Sequence, residues 1–153
     1  MKIFPWQKEK VFFTPEEQER IVDAVRWAEQ RTSGEVRVFV EPRCRYMNAL
    51  DRAVEIFREL KMDQTQDRNA VLVYIAVKDR QLAVWGDEGI HRKVGNDYWE
   101  KEVAAMISAF NHQDIAAGIR QCVLDIGEAL HTHFPYERET DKNELPDDIV
   151  FGR

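Results

Sequence analysis

The chain has 153 residues, of which 44% are hydrophobic and 33% are charged, the composition of one ordinary globular domain. Its 22 basic and 28 acidic residues give a net charge of -6, which disfavours nonspecific binding to nucleic acid or to an anionic membrane. No stretch reaches the roughly 20 apolar residues of a membrane-spanning helix, and the polar start is not that of a secretory signal. We therefore expect a cytoplasmic monomer without a transmembrane segment.

The first third of the chain predicts a helix, a strand and a second helix. Thr14 can cap the first helix, which apolar residues at helical spacing continue to about Arg31. The segment EVRVFVE, residues 35–41, alternates valine with other side chains, as a strand with one buried face does. Residues 50–60 carry the apolar stripe of an amphipathic helix.

The rest of the chain predicts a hairpin followed by two more helices. The run AVLVYIAV, residues 70–77, is almost continuously apolar, which indicates a central strand covered on both faces. The segment QLAVWG, residues 81–86, follows after a short turn and forms an antiparallel hairpin with it. Residues 87–95 are expected to be a loop. Of the two helices that follow, the first is capped by Asn96 and the second ends near His133.

The order of these elements predicts an α/β fold. A strand–helix–strand unit implies a right-handed crossover between parallel strands, and the hairpin adds an antiparallel strand. The expected product is a three-layer α/β/α sandwich with a small mixed sheet, Rossmann-like in outline. Residues 1–135 form a single domain in this interpretation. Residues 136–153 are a polar, largely irregular tail that can dock through Ile149 and Phe151.

Three segments rich in oxygen donors meet at one end of this predicted sheet, because two parallel strands begin there and the antiparallel strand ends there. The converging side chains are Ser33 and Glu35 before or at the first strand, Asp67, Arg68 and Asn69 before the second, and Asp87 and Glu88 after the third. Ca²⁺ and Mg²⁺ prefer oxygen ligands, whereas zinc prefers histidine and cysteine. The candidate metal ligands are therefore Glu35, Asp67, Asn69, Asp87 and Glu88. Arg68 could neutralise these acids without any metal, so an internal ion-pair network is an open alternative.

Familiar catalytic motifs are absent from the sequence. There is no G-x-x-x-x-G-K-[ST] loop, no G-x-G-x-x-G and no G-x-S-x-G. Cys44 and Cys122 fit no C-x-x-C pattern, and we expect reduced thiols with Cys122 in a helix core. A thiol phosphatase built on Cys44 is rejected, because Leu50 stands where its phosphate-binding arginine would be required.

The segments TSGEVRVFVE, TQDRNAVLVYIAVKDRQLAVWGDEGIHRKVG and FNHQDIAAGIRQCVLDIGEAL together resemble the TPM domain family, over about residues 12–135. The closing NELPDDI resembles the tail of the family's short, soluble bacterial branch. The resemblance implies an α/β/α sandwich that binds divalent cations, chiefly calcium, near loops at one end of the sheet. It also implies an acid phosphatase activity, which is attributed to plant members. Ala70 is a departure, since many relatives have glycine at this position.

Three functions follow from these observations. The first is a divalent-cation (Ca²⁺ or Mg²⁺) binding module that acts through a partner protein. The second is a metal-assisted phosphatase acting on phosphomonoesters, in which Asp87 or Glu88 serves as base and Arg68 holds the phosphate. The third is a metal-free scaffold whose acidic residues at this end of the sheet are only solubilising.

Overall fold

The computed structural model describes residues 13–136 and 149–152. The helices are α1 (Pro15–Glu29), α2 (Ala49–Glu59), α3 (Glu88–Val94), α4 (Asn96–Asn111) and α5 (Ile115–His133), and the strands are β1 (Glu35–Glu41), β2 (Ala70–Ala76), β3 (Gln81–Gly86) and β4 (Val150–Phe151). Within these ranges no helix combines the length and the apolar character needed to cross a membrane. The irregular course expected for residues 137–148 lies outside the described residues.

The four strands form one mixed sheet in the order β3-β2-β1-β4. β1 and β2 are parallel, and β3 is antiparallel to β2. We call the end where β1 and β2 begin and β3 ends the amino end of the sheet. It is marked by Glu35, Ala70 and Gly86, whereas Glu41, Ala76 and Gln81 mark the opposite, carboxyl end. The predicted strand–helix–strand unit and hairpin are confirmed.

The sheet is covered by helices on both faces. Val36, Val38 and Val40 of β1 point into a core cluster shared with α1, α4 and α5, whereas Phe39 belongs to a second cluster shared with α2. All seven residues of β2 are buried, which is why that strand lacks any alternation of polar and apolar side chains. The predicted three-layer α/β/α sandwich is therefore confirmed.

The first helix begins as its sequence predicts. The Thr14 hydroxyl accepts a hydrogen bond from the Glu17 backbone N–H at 3.1 Å, and the Glu17 carboxylate accepts one from the Thr14 N–H at 2.9 Å. This capping box satisfies two backbone donors that no helical carbonyl can reach, which is worth about 1 kcal/mol. Helix α1 then packs chiefly on α5 and to a smaller extent on β1.

The loop expected at residues 87–95 is wrong, because Glu88–Val94 form a helix, α3. Asp87 is the N-cap of α3, and its side chain accepts a hydrogen bond from the Glu88 N–H. Gly95, at φ 80°, ends α3 in a conformation that L side chains rarely adopt, and α4 starts directly at Asn96. The N-cap expected at Asn96 is therefore wrong: Gly95 occupies that position, and Asn96 is the first residue of α4. The buried Ile90 anchors this short helix to the core.

The end of the chain adds a strand to the sheet. Val150 and Phe151 pair in parallel with Phe39 and Val40 of β1, and Ile149 is buried in the core. The docking expected of Ile149 and Phe151 is thus found, with a short strand in place of an irregular segment. The strand depends on backbone groups on the outer side of β1. The side-chain pattern of the tail gives no sign of these groups, so the strand could not be predicted from it.

Candidate functional site at the amino end of the sheet

The predicted convergence of three segments is present at the amino end. Glu35 lies opposite Ala70 in the parallel pair, and Gly86 lies opposite Val71 in the hairpin. The Asp87 N–H donates to the Ala70 carbonyl at 2.9 Å, which continues the hairpin ladder by one residue. Residues 33–35, 67–69 and 87–88 therefore lie side by side.

Arg68 and Asp87 form the centre of this site. The Arg68 Nε atom lies 2.7 Å from Oδ2 of Asp87, and Nη2 lies 2.8 Å from Oδ1, so the guanidinium grips the carboxylate with two hydrogen bonds. The hydrogen bond with Asp87 and the charge of that carboxylate raise the pKa of Arg68. Asp87 is buried, while 44% of the Arg68 side chain is exposed. The pair is a bidentate, charge-assisted contact with one partner open to solvent.

The backbone around Arg68 brings α3 against the start of β2. Arg68 adopts φ 51°, and its carbonyl accepts a hydrogen bond from the Gly89 N–H at 2.8 Å. A Cβ at Gly89 would lie 2.1 Å from the Asp67 carbonyl and 2.6 Å from that of Arg68. Only glycine allows this approach, so Gly89 helps to set the distance between Asp87 and Arg68.

Ser33 and Asn69 form a separate contact between the starts of β1 and β2. Asn69 is buried, and its Nδ2 donates to the Ser33 hydroxyl at 3.2 Å. The Asn69 N–H donates to the Thr65 hydroxyl, and its carbonyl accepts from the Glu35 N–H, both at 3.4 Å. Asn69 thus links the start of β1 to the start of β2 and stabilises this part of the fold.

The remaining predicted ligands lie in different surroundings. Glu35 is buried at the start of β1, and Asp67 is exposed. Glu88 is largely exposed, 3.9 Å from Nη1 of Arg68 and 3.8 Å from Arg92. The predicted set therefore divides into Ser33 with Asn69, and Arg68 with Asp87 and Glu88.

The donor chemistry suits a hard cation, but the arrangement is that of an ion pair. Both oxygens of Asp87 accept hydrogen bonds from Arg68, and Oδ1 also accepts one from the Glu88 N–H at 2.8 Å. Among the described residues no three histidine, cysteine, aspartate or glutamate side chains gather in a way that could hold a metal ion. As arranged, the residues do not fit a preformed divalent-cation site, because a guanidinium already neutralises the buried carboxylate.

An apolar groove begins beside this ion pair and follows β3. It has a volume of about 850 Å³. It is lined by Arg68 before β2, by β3 and the start of α3, by one face of α4 and by one residue of α2. The lining residues are Arg68, Leu82 to Glu88, His91, Asn96, Trp99, Glu100, Val103, Ala104, Ile107 and Leu50. The Trp99 indole N–H donates to Nδ1 of His91 at 3.0 Å, which holds α3 to α4 at the groove's end. Sequence reasoning missed this groove, because its walls come from four elements.

The carboxyl end of the sheet holds a second arginine–carboxylate pair that the sequence did not indicate. Arg52 of α2 contacts the buried Glu41 through Nε at 2.9 Å and Nη2 at 3.0 Å. The Tyr74 hydroxyl donates to the same carboxylate at 2.5 Å, and Arg52 also contacts Glu55. Burial and the bond to Glu41 raise the pKa of Tyr74 far above its usual range. A pocket of about 520 Å³ lies beside this network.

Comparison with known proteins adds the family to this geometry. A search of curated proteins finds no match. The BA42 protein of the psychrophilic bacterium Bizionia argentinensis, solved by NMR, is 38% identical, with a TM-score of 0.85 over 95% of this chain and 99% of that one. The N-terminal domain of the cg2496 protein of Corynebacterium glutamicum has the same fold at 13% identity, with a TM-score of 0.58 over 78% of this chain and 74% of that one. The family model described as the TPM domain matches residues 7–129, and the chain belongs to the TPM domain family.

Proposed function

We propose that this chain is a non-catalytic binding module that acts through a partner protein, and that the groove along β3 is its binding face. The observation that carries the proposal is an apolar groove of about 850 Å³ with exposed aliphatic side chains on both rims. Leu50 of α2 is 47% exposed on one rim, and Ile107 of α4 is 46% exposed on the other. Exposed apolar surface costs free energy in water, and contiguous patches of it mark interaction sites.

Nile red, a neutral apolar dye, tests whether this groove takes up apolar ligands. Leu50→Asp and Ile107→Asp place a charge on the rims, and both side chains are exposed enough for the fold to tolerate the change. We expect either substitution to weaken dye binding strongly, because the bound dye would then desolvate a carboxylate. Tyr46→Asp is the matched control, since Tyr46 is exposed and lines the pocket at the carboxyl end. Equal dye binding by all four proteins would refute the proposal.

Divalent-cation binding at the amino end is the second candidate function. Its support is two neighbouring groups of oxygen donors, Ser33 with Asn69 and Asp87 with Glu88, together with the match to the TPM domain. A cation would compete with Arg68 for the Asp87 carboxylate, since like charges repel. Arg68→Ala removes the competitor and leaves the carboxylates in place.

Calcium titration followed by amide NMR separates these two candidates. We expect the amides of residues 33–35, 67–69 and 87–88 to shift with Ca²⁺ in Arg68→Ala at lower concentrations than in the wild type. A wild-type protein that responds as strongly as the variant would favour a preformed cation site and contradict the role of Arg68 as the resident counter-charge. A thermal melt with and without Ca²⁺ gives an independent measure, because a ligand of the folded state raises Tm.

Phosphatase activity is the third candidate, and it rests on the family alone. Arg68, which would hold the phosphate, is engaged by Asp87. Turnover of a generic phosphomonoester by the wild type and by Asp87→Asn, purified in parallel, tests it. Equal turnover by both would indicate a contaminant, and a loss in the variant would support the enzyme.

The cytoplasmic location, the monomeric state and the single domain over residues 1–135 stay predictions.

A further inference from the structure

Within the part of the chain that the structure describes, β3 has backbone hydrogen-bonding groups on its outer side that face no other strand. The Asp87 N–H bonds to the Ala70 carbonyl, and hydrogen-bonded pairs alternate along an antiparallel ladder. Trp85 and Ala83 therefore bond to β2, while Leu82, Val84 and Gly86 direct their N–H and C=O groups away from it. Among residues 13–136 and 149–152, no hydrogen bond outside the β2–β3 ladder uses the N–H or C=O groups of these three residues.

The outer sides of β1 and β3 differ in whether another strand pairs with them. In the described part of the chain, β1 pairs on its outer side with the short β4 at Phe39 and Val40, whereas β3 is the last strand at the other edge. Residues 81–86, QLAVWG, contain neither a charge nor a proline, two of the devices that block pairing at an exposed strand. The margin of β3 is thus chemically suited to accept another strand.

The groove supplies walls for the side chains of such a strand. Val103 and Ile107 of α4 form one wall, and Leu50 of α2 stands on the other side. Because Leu82 and Val84 belong to one face of the sheet and Ala83 and Trp85 to the other, the groove straddles the strand margin. An added strand would bury side chains on both sides while its backbone meets β3.

Acidic side chains at one end of the groove favour a ligand with a basic side chain. Arg68 and Asp87 neutralise each other there, which leaves the exposed carboxylates of Glu100 and of Glu88, the second in a weak, solvent-exposed pair with Arg92 at 3.8 Å. Both glutamates lie toward the Gly86 end of the groove, since Glu88 follows Gly86 by two residues and Trp99, the neighbour of Glu100, packs against Gly86. A basic side chain on the ligand would complement them.

Building on the proposed binding function, we propose that the groove binds an extended, mainly apolar segment of a partner protein, which pairs with β3 as an added strand and places a basic side chain near Glu88 and Glu100. The ladder on β3 offers pairing positions at residues 82, 84 and 86. Strand addition takes its affinity from main-chain hydrogen bonds and its specificity from alternate side chains. A segment of about five to seven residues would span these positions.

A synthetic peptide with a lysine at each end and alternating valine and threonine between them serves as the probe, since either chain direction then places one lysine near the acidic end. Amide hydrogen exchange of the full-length protein is measured with and without it. We expect exchange at Leu82, Val84 and Gly86 to slow by about tenfold or more, because these N–H groups become hydrogen-bonded.

Two N-methylated versions of the peptide provide the control for backbone pairing. One carries methyl groups on the odd-numbered amides and the other on the even-numbered amides, so that their apolar content is the same. Only one set faces β3 in a paired strand, and we expect only that version to lose binding, by about tenfold or more. Equal binding of both versions would overturn the proposal, because apolar contact alone would then account for it.

Other occupants give distinct results. Protection of the three amides before any peptide is added would mean that another part of the chain, or a second copy, already pairs with β3, and would overturn the proposal. Sedimentation at the same concentration tells these two apart. If Nile red binding depends on Leu50 and Ile107 and the peptide gives no protection, the strand proposal alone fails. If the dye ignores both rims, the proposed function fails with it.

Discussion

At each end of the sheet an arginine donates two hydrogen bonds to a buried carboxylate: Arg52 to Glu41 at the carboxyl end and Arg68 to Asp87 at the amino end. The two pairs differ in what surrounds them. At the carboxyl end, Glu41 also accepts from Tyr74, and Arg52 also contacts Glu55. At the amino end, Asp87 caps α3, and Arg68 borders the open groove. The exposed fraction is 24% for the Arg52 side chain and 44% for that of Arg68.

The difference shows that the same chemical pair serves two purposes. Glu41 and Arg52 border the carboxyl-end pocket, but Tyr74 and Glu55 also bond to them and the Glu41 side chain is buried, so removing Arg52 would leave a buried charge. The pair at the amino end can exchange Arg68 for water or for a ligand, since nearly half of that side chain is solvated. We infer that Glu41 and Arg52 hold α2 to the sheet, whereas Arg68 and Asp87 form an accessible site.

Removing Arg52 tests the carboxyl-end pair and should have the largest effect. Arg52→Ala leaves the buried Glu41 without its guanidinium, and we expect a loss of about 3 kcal/mol in the free energy of unfolding. Urea denaturation measures it. Arg43→Ala, whose pair with Asp79 is half exposed, is the control and should cost less than about 1 kcal/mol. Equal losses would contradict a buried charge at Glu41.

Glu102 is a buried carboxyl that has an acid, not an arginine, as its neighbour. Glu102 of α4 is buried near Asp125 and Cys122 of α5, and burial, followed by the hydrogen bond with Asp125, raises its pKa to about 7. The folded state therefore holds a proton that the unfolded chain loses near its ordinary value of 4.5. This stabilisation is complete below that value and disappears as pH rises through about 7.

Glu102→Gln should abolish this pH dependence. Between about pH 5 and about pH 8 we expect the variant to gain about 2 kcal/mol of stability relative to the wild type. Urea denaturation at the two pH values measures the change. Glu100→Gln, on the exposed face of the same helix, is the matched control and should leave the wild-type pH dependence intact. A wild-type stability that rises over this range would contradict the assignment to Glu102.

The Tyr74 hydroxyl contributes a smaller part to the carboxyl-end pair. Tyr74→Phe removes one hydrogen bond to a buried carboxylate, and we expect a loss of about 1 to 2 kcal/mol. Tyr98→Phe is the matched control, because within the described residues the buried Tyr98 hydroxyl has no hydrogen-bond partner. Its removal should leave the stability nearly unchanged or slightly higher. Similar losses in both variants would mean that ring packing, not the bond to Glu41, is being measured.

Removing Arg68 should have the smallest effect on stability. We expect Arg68→Ala to lower Tm less than Arg52→Ala does, because truncating the half-exposed Arg68 side chain opens Asp87 to water and the Glu88 N–H still bonds to it. Thermal melts of the two variants under identical conditions give the comparison. A larger drop for Arg68→Ala would show that the amino-end pair is the structural one and would reverse the roles assigned to the two ends.

The amino-end pair could be anticipated in part from the sequence, whereas the carboxyl-end pair could not. Asp87 and Arg68 adjoin strand ends, so the topology alone brings them together. Glu41 has the same position at the end of β1, but its partner lies in α2. No local pattern selects Arg52 over the neighbouring arginines, because the choice depends on how α2 is rotated on the sheet.

By itself the sequence determined the strand–helix–strand unit, the hairpin, the capping box at Thr14 and the burial of β2. These features follow from the period of apolar residues and from contacts between residues close in the chain. Hydrophobic burial is non-directional, so the pattern of apolar residues is enough to predict which side chains are buried. Only the tertiary structure decided the partners of Glu41 and Glu102, the strand β4 and the groove beside β3. Hydrogen bonds and ion pairs act over a few ångströms and require particular angles, so they are set by the packing of distant elements.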